Sequence, residues 1–278
     1  MLAIALALGS SACYGVSNFL GPQLSKRHTL VVVLLTSQLA ALAACLLYVL
    51  ADRSAPLSGA STAVAALAGV GNAGGLIGFY RAAELGPLSV AAPIGALGAI
   101  VPALWGLLGG EALTALEAIG LVMAIGGAAL AARVTPSEEV VYANPRASVL
   151  WAIGAAVSFG VFLTALPEVS DESRSWSLLD ARIALVLVLL AYAVPRLTRF
   201  RLGRESALLA VPGLLLVAGT LLYTLAADRG QLSIVSVLGS LFPVFTVGLG
   251  VILLGERLSV LQSAGVAAAL TGIVLIAA

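Results

Sequence analysis

Ser11, Tyr14 and Asn18 recur at three- and four-residue spacing inside one apolar run, so a helix would put all three on one face. Ser233, Ser236 and Ser240 do the same in a second run and lead to Pro243, and Thr220 and Tyr223 share a face in a third. Asn72 and Gln38 stand alone in two others. Hydroxyls and amides of this kind hold a solute by hydrogen bonds. An amide in a hydrocarbon setting faces protein or water rather than lipid. Asn18 and Asn72 are therefore candidates for a solute cavity, the alternative being a bond to a neighbouring helix. The serines have a further alternative, a bond to their own helix backbone. Tyr80 and Phe159 are aromatic candidates by position, with core packing as their alternative.

Groups that break bonds are scarce. The single histidine, His28, follows Lys26-Arg27 at the end of an apolar run. No H-E-x-x-H, no Asp-rich diphosphate motif and no Ser–His arrangement occurs inside the runs. Cys13 and Cys45 lie in apolar runs and read as small buried hydrophobes, with no disulfide framework or zinc site. An enzyme is disfavoured, and no cofactor or metal is expected. A net charge of +1 leaves no basic footprint for nucleic acid. Charges within the runs are Glu117, Asp180 and Arg182. Asp180 and Arg182 are two apart and face different ways on a helix, so they are no ready pair. Arg182 is a candidate for structure or gating.

The elements that position these groups must be membrane helices. Hydrophobic residues make up 61% of the 278 and charged residues 10%, where a soluble domain carries about 25% charged. Mean hydropathy is +1.12. Ten runs approach the roughly 20 residues that a bilayer-spanning helix needs: about 2–22, 29–50, 57–80, 87–108, 112–132, 147–167, 176–195, 206–227, 231–254 and 258–277. They are continuous rather than alternating, which favours helices over a barrel. The one long polar connection is 133–146.

The two halves repeat. At an offset of 145, Gly9, Gly15, Pro22 and Ser25 fall on Gly154, Gly160, Pro167 and Ser170, with Tyr14 on Phe159. At 144, AAELGPLSV (82–90) falls on AADRGQLSI (226–234). Gly110-Glu111, Gly120 and Gly127 fall on Gly255-Glu256, Gly265 and Gly272. The first run, being the counterpart of an internal helix, is expected to be retained rather than cleaved. The expected organisation is a first repeat at 1–134, a linker at 135–146 and a second repeat at 147–278. Five helices is an odd number, so the second repeat enters the membrane inverted. Inverted repeats are a signature of secondary transporters and supply two near-equivalent arrangements for alternating access.

Two details of the repeat bear on mechanism. Each Gly-Glu step is expected to be a tight turn whose carboxylate caps the helix that follows, Glu111 the fifth and Glu256 the tenth. Proton coupling is the alternative role. Pro93 and Pro102 flank the middle of the fourth run and Pro243 sits mid-run in the ninth, where kinks are expected to free carbonyls towards a cavity. The stepped glycines 71/75, 74/78 and 106/110 are expected to pack helices closely.

With Gly-Glu between an apolar, proline-bearing helix and a helix of spaced glycines, repeated in both halves, the chain resembles the drug/metabolite transporter superfamily in its ten-helix branch with two EamA domains. That resemblance implies an all-α, multi-pass protein of the cell membrane, the inner membrane in a bacterium. It implies export or import of amino acids, other metabolites, nucleotide-sugars or drugs without ATP hydrolysis. Tyr14-Gly15 stands where many relatives have Trp-Gly, and Gly98 stands opposite Pro243. Arg182 matches an arginine common among relatives. The first helix lacks the carboxylate that small four-helix multidrug members carry there, which favours a neutral or zwitterionic small-molecule substrate. The expected partners are that solute and the lipid bilayer, with a homodimer left open. Multidrug export and a non-transporting scaffold are the alternatives. The resemblance implies cytoplasmic termini, whereas the arginine and lysine count between the runs argues for both termini outside.

Overall fold

In hydrocarbon each backbone N–H and C=O must be paired within the protein, and for a continuous apolar run the α-helix does this locally. The computed structural model describes residues 1–25, 28–85, 94–95, 97–131, 144–193, 206–254 and 260–277, and among them every regular element is helical. In chain order these are α1 (Leu2–Ser25), α2 (Leu30–Asp52), α3 (Gly59–Leu85), a 3-10 turn (Leu97–Ala99) running into α4 (Ile100–Leu108), and α5 (Ala115–Ala131). There follow α6 (Pro145–Ser170), α7 (Arg174–Ala193), α8 (Ser206–Ala227), α9 (Leu232–Gly239), α10 (Phe242–Leu254) and α11 (Val260–Ala277). Six of them, α1, α2, α3, α6, α7 and α8, are long and apolar enough to cross a membrane. The remaining apolar helical stretches are shorter. The linker expected at 135–146 lies, up to residue 143, outside the described residues.

Packing follows the offset seen in the sequence. Helix α3 lies along α6, and α1 lies along α8; α5 lies along α11. Glycines make these approaches possible, and their contacts are reciprocal. A Cβ on Gly127 would meet the backbone of Gly265 and Ala269, and one on Gly272 the backbone of Gly120 and Ala124. Gly69 abuts the Ala181 carbonyl as Gly213 abuts that of Ser37. Gly75 lies against the Phe159 ring as Gly219 lies against that of Tyr14. Each pair becomes the other when the halves are exchanged, which is the contact pattern a two-fold relation between halves produces. Gly71, Gly74, Gly75 and Gly78 all face α6, as close packing predicts. Gly106 differs, because the Glu111 carboxylate folds over it, and Gly110 serves the turn at φ +98°.

Large apolar side chains cover the outside: Leu47, Leu108, Val122, Leu150, Ile252 and Val260 are all exposed. A patch of this kind on a water-soluble protein would drive association, whereas lipid solvates it. The buried centre is built from Leu166, Leu238, Leu241, Tyr223 and small alanines. Cys13 and Cys45 are free thiols.

One end of the bundle is tied by polar contacts. The Glu172 carboxylate accepts from the Ser58 amide (2.5 Å) and the Ser61 hydroxyl. Arg174 pairs with Asp228, and the Trp176 indole donates to the Ser54 carbonyl (3.0 Å). At this same end Gln231 donates to the Ala112 carbonyl (3.3 Å). At the other end the Asn144 amide donates to the Leu85 carbonyl (3.0 Å) and the Ser148 hydroxyl to that of Ala82 (2.8 Å).

Candidate functional site

The ninth run is two helices rather than one kinked helix. Helix α9 ends at Gly239, the chain turns through Ser240 and Leu241, and α10 begins at Phe242 with Pro243 second. Pro243 is thus a helix-starting residue and not the mid-helix kink expected from its position. Proline has no N–H to offer, and the first turn of a helix needs none. Pro102 is the third residue of α4, just after the 3-10 turn, and likewise opens a helix. Pro93 lies outside the described residues. The breaks at 97–99 and 240–241 fall near one another under the repeat offset.

Glu111 also differs from expectation. It does not cap α5. Its carboxylate reaches into the other half, where Oε1 accepts from the Leu232 amide (2.6 Å) and Oε2 from the Ser233 amide (3.0 Å), capping α9. Helix α5 has its own box: the Thr114 amide donates to Glu117 (2.7 Å) and the Glu117 amide to the Thr114 hydroxyl (3.2 Å). That T-x-x-E signal was present in the sequence. The remote Glu111 contact was not legible, since a carboxylate before a helix has the same local appearance whichever helix it caps. Glu256 lies outside the described residues.

Both helix breaks open onto one cavity of about 800 Å³, mouth included. Gly95 and Gly98 line it from the first break, and Gly239, Ser240 and Phe242 from the second. Tyr14 and Asn18 enter from α1, Asn72 and Tyr80 from α3, Phe159 from α6 and Thr220 from α8. Six of the eight sequence candidates, Tyr14, Asn18, Asn72, Tyr80, Phe159 and Ser240, are therefore brought together. Tyr14, Asn72 and Phe159 sit near the mid-length of their helices, Tyr80 lies towards the end of α3, and Ser240 lies in the turn between α9 and α10. The Asn18 and Asn72 side-chain amides have no hydrogen-bond partner among the described residues, and both are only partly buried, facing the cavity. The Thr220 hydroxyl donates to the Leu216 carbonyl (2.8 Å), which leaves Tyr14 as the donor in the 3.1 Å contact between the two hydroxyls.

Two candidates stand elsewhere. Tyr223 is fully buried and donates to the Leu163 carbonyl (2.9 Å), with its ring behind Gly239. Ser236 donates to the Ser233 carbonyl (3.0 Å) within α9 and is buried away from the cavity. Spacing marks a helix face but leaves open which neighbour that face meets. Phe79, Phe162 and Phe242 also line the wall and carried no sequence signal beyond an apolar core. Among the described residues, no Asp, Glu, Lys or Arg lines this cavity.

Arg182 is nearly fully buried and donates to Gln38 Oε1 (2.5 Å), tying α7 to α2. It lines a smaller cavity of about 210 Å³ that shares Asn72, Phe162 and Thr220 with the main one. A further cavity of about 800 Å³ lies between α2, α3 and α7 and shares Tyr80.

The match to known proteins agrees with this architecture. Residues 146–278 match the model of the EamA-like transporter family. A solved crystal structure superposes with a TM-score of 0.77 at 16% identity, covering 98% of this chain and 94% of that one, which establishes a shared fold. No curated protein matches the chain by sequence. Residues 146–278 are therefore identified as an EamA domain, the domain of the drug/metabolite transporter superfamily.

Proposed function

We propose that this multi-pass membrane protein is a secondary active or facilitative transporter, working as an exporter of small organic solutes such as neutral amino acids or related metabolites. The proposed machine is two inverted five-helix repeats, 1–134 and 147–278, that rock about the cavity so that it opens to one side and then the other. The observation that carries this reading is the pair of Asn18 and Asn72 amides, which have no partner among the described residues and face a cavity walled by aromatic rings. These amides keep unused hydrogen-bonding capacity towards the cavity, and a solute that displaces water there and pairs with them avoids leaving them unsatisfied. Tyr14, Tyr80, Phe159 and Ser240 are the other proposed contacts. The reciprocal glycine packing supports the two-repeat mechanism, because exchanging the halves gives an equivalent arrangement.

The present arrangement joins the two repeats at the end where Glu172 accepts from Ser58 and Ser61 and Trp176 donates to the Ser54 carbonyl, while the Tyr80-bounded cavity lies towards the opposite end. Rocking would break these ties and form others at the far end. No catalytic step enters the proposal. Counterflow in proteoliposomes tests it: saturable exchange of a neutral amino acid, weakened by Asn18→Ala or Asn72→Ala, is the expected result. Exchange of lipophilic cations alone would move the reading to multidrug export. Absence of any exchange from folded protein would favour the scaffold alternative.

A further inference from the structure

Arg182 poses a problem of charge. It lies in the membrane-spanning helix α7 and is 4% exposed. A guanidinium presents five N–H donors and never gives up its proton. Among the described residues its neighbours are neutral: Gln38 Oε1 accepts at 2.5 Å, and the Cys45 thiol lies beside it. No carboxylate is within ion-pair distance there. Asp180, two residues earlier on the helix, accepts from the Thr62 hydroxyl (3.2 Å) on a different face. Gln38 is itself buried, with its Nε2 amide lacking a partner. Two sets of donors, one of them a full positive charge, are therefore held inside the protein with too few acceptors. A buried cation without a counter-charge is strongly unfavourable.

The charge is placed beside the solute cavity rather than away from it. Arg182 lines the 210 Å³ space, which is parted from the main cavity by side chains common to both, Asn72, Phe162 and Thr220. The Tyr14–Thr220 hydrogen bond closes the same wall. A rotamer change at Thr220 or Asn72 would join the two spaces. The main cavity offers aromatic and aliphatic surface for an apolar body, and none of its described lining residues is charged.

We propose that Arg182 is the anchor for a carboxylate, so that the transported solutes are carboxylates with an aromatic or apolar body. This rests on the reading of the cavity as the transport site. Asn72 and Thr220 would admit the carboxylate, the guanidinium would take it in a bidentate pair, and the apolar body would remain among Phe79, Phe159 and Phe162. The bound solute then supplies the counter-charge that the described protein residues do not.

The test uses two probes of similar size and shape, 3-phenylpropionate and 3-phenylpropionamide, with L-phenylalanine as a third. Binding to the purified full chain in detergent is measured by calorimetry, which avoids diffusion of the weak acid through a bilayer. The expected result is that the carboxylate binds about tenfold to a hundredfold more tightly than the amide. Arg182→Gln should remove that preference, and Arg182→Lys should keep part of it. Equal binding of amide and carboxylate by the unmodified protein overturns the proposal and leaves the cavity reading intact. So does an undiminished preference in folded Arg182→Gln. Should Arg182→Gln fail to fold, the preference of the unmodified protein decides. Binding of none of the three probes overturns the proposal. Counterflow of other solutes in proteoliposomes then shows separately whether the cavity reading stands.

Discussion

Asn72 brings a hydrogen-bonding amide into a space walled by Phe79, Phe159 and Phe162, and nothing described in the protein answers it. On the proposed reading, replacing it with alanine removes a solute contact rather than a structural one. Asn72→Ala is expected to weaken solute binding about threefold to tenfold, the worth of one neutral hydrogen bond, with little change in thermal stability. Titration calorimetry and a melting curve on the same sample check both halves of that statement. Tyr223 is the contrasting case. Its hydroxyl is fully used by the Leu163 carbonyl and its ring supports Gly239, so Tyr223→Phe is expected to cost about 1 kcal/mol of stability while leaving solute affinity nearly unchanged. A large loss of affinity with unchanged stability would return Tyr223 to the site. Tyr14 and Tyr223 have the same chemistry, and both sit in polar stripes in the sequence. What separates them is the rotation of α1 and α8 about their axes, set by glycines such as Gly219, whose missing side chain makes room for the Tyr14 ring.

At the scale of elements, close helix approach depends on particular glycines. A Cβ on Gly213 would overlap the Ser37 carbonyl, a backbone atom that cannot step aside, whereas one on Gly154 meets nothing. Gly213→Ala is expected to destabilise by about 1–3 kcal/mol, and Gly154→Ala to stabilise by about 0.5–1 kcal/mol through helix propensity. Equal melting shifts for the two would contradict the described packing. Glu111 tests the cross-half cap. Glu111→Ala leaves two α9 amides without their acceptor and is expected to cost about 1–2 kcal/mol, with Glu111→Gln intermediate. The turn at Glu172 responds to pH. The Ser61 hydroxyl and Ser58 amide hold its carboxyl below the ordinary value of 4.5. A carboxyl depressed on folding contributes stability that is present above 4.5 and is lost as pH falls through the folded value. The protection of the Ser58 amide against hydrogen exchange, taken relative to its intrinsic rate at each pH, should therefore fall below pH 4.5, and Glu172→Gln should remove that dependence. The sequence disclosed where nearly every helix lies because continuous apolar runs of bilayer length have one solution. It disclosed less about their ends. A proline in mid-run looks the same whether it kinks one helix or starts the next, as Pro243 does. A Gly-Glu step looks the same whether the carboxylate caps its own helix or a distant one.

At the scale of the whole molecule, chain direction sorts the charges. Connections 53–58, 109–114, 171–173 and 228–231 lie at the end that holds Met1, with Arg53 and Arg229 as their basic residues and Arg174 at the start of α7 beside them. In the sequence, Lys26, Arg27, Arg133, Arg196, Arg199, Arg201, Arg204 and Arg257 fall between helices whose described ends are at the opposite end, where Arg81 and Arg146 stand. The positive-inside rule then predicts that the second end is cytoplasmic and both termini are outside. A cysteine at Ser58 should react with an impermeant maleimide on intact cells, and one at Thr198 only after permeabilisation. The reverse pattern would support cytoplasmic termini, as the family resemblance implies. The repeat was legible at this scale because glycines recur at offsets of 145 and 144, and the glycine contacts follow the same offsets. The cavity was partly legible, since its polar residues stand out in apolar helices while its aromatic ones do not.

The central claim is that the cavity between the broken helices is reached alternately from the two sides of the membrane. Ser240→Cys, in a Cys13→Ala/Cys45→Ala background, places one near-isosteric thiol in the cavity wall. Its labelling by small impermeant thiol reagents would be measured from each side of sealed, oriented vesicles, with and without a transported solute. The account predicts reaction from both sides, slowed by the solute in each case. Reaction from one side alone, or a rate the solute leaves unchanged, would contradict it.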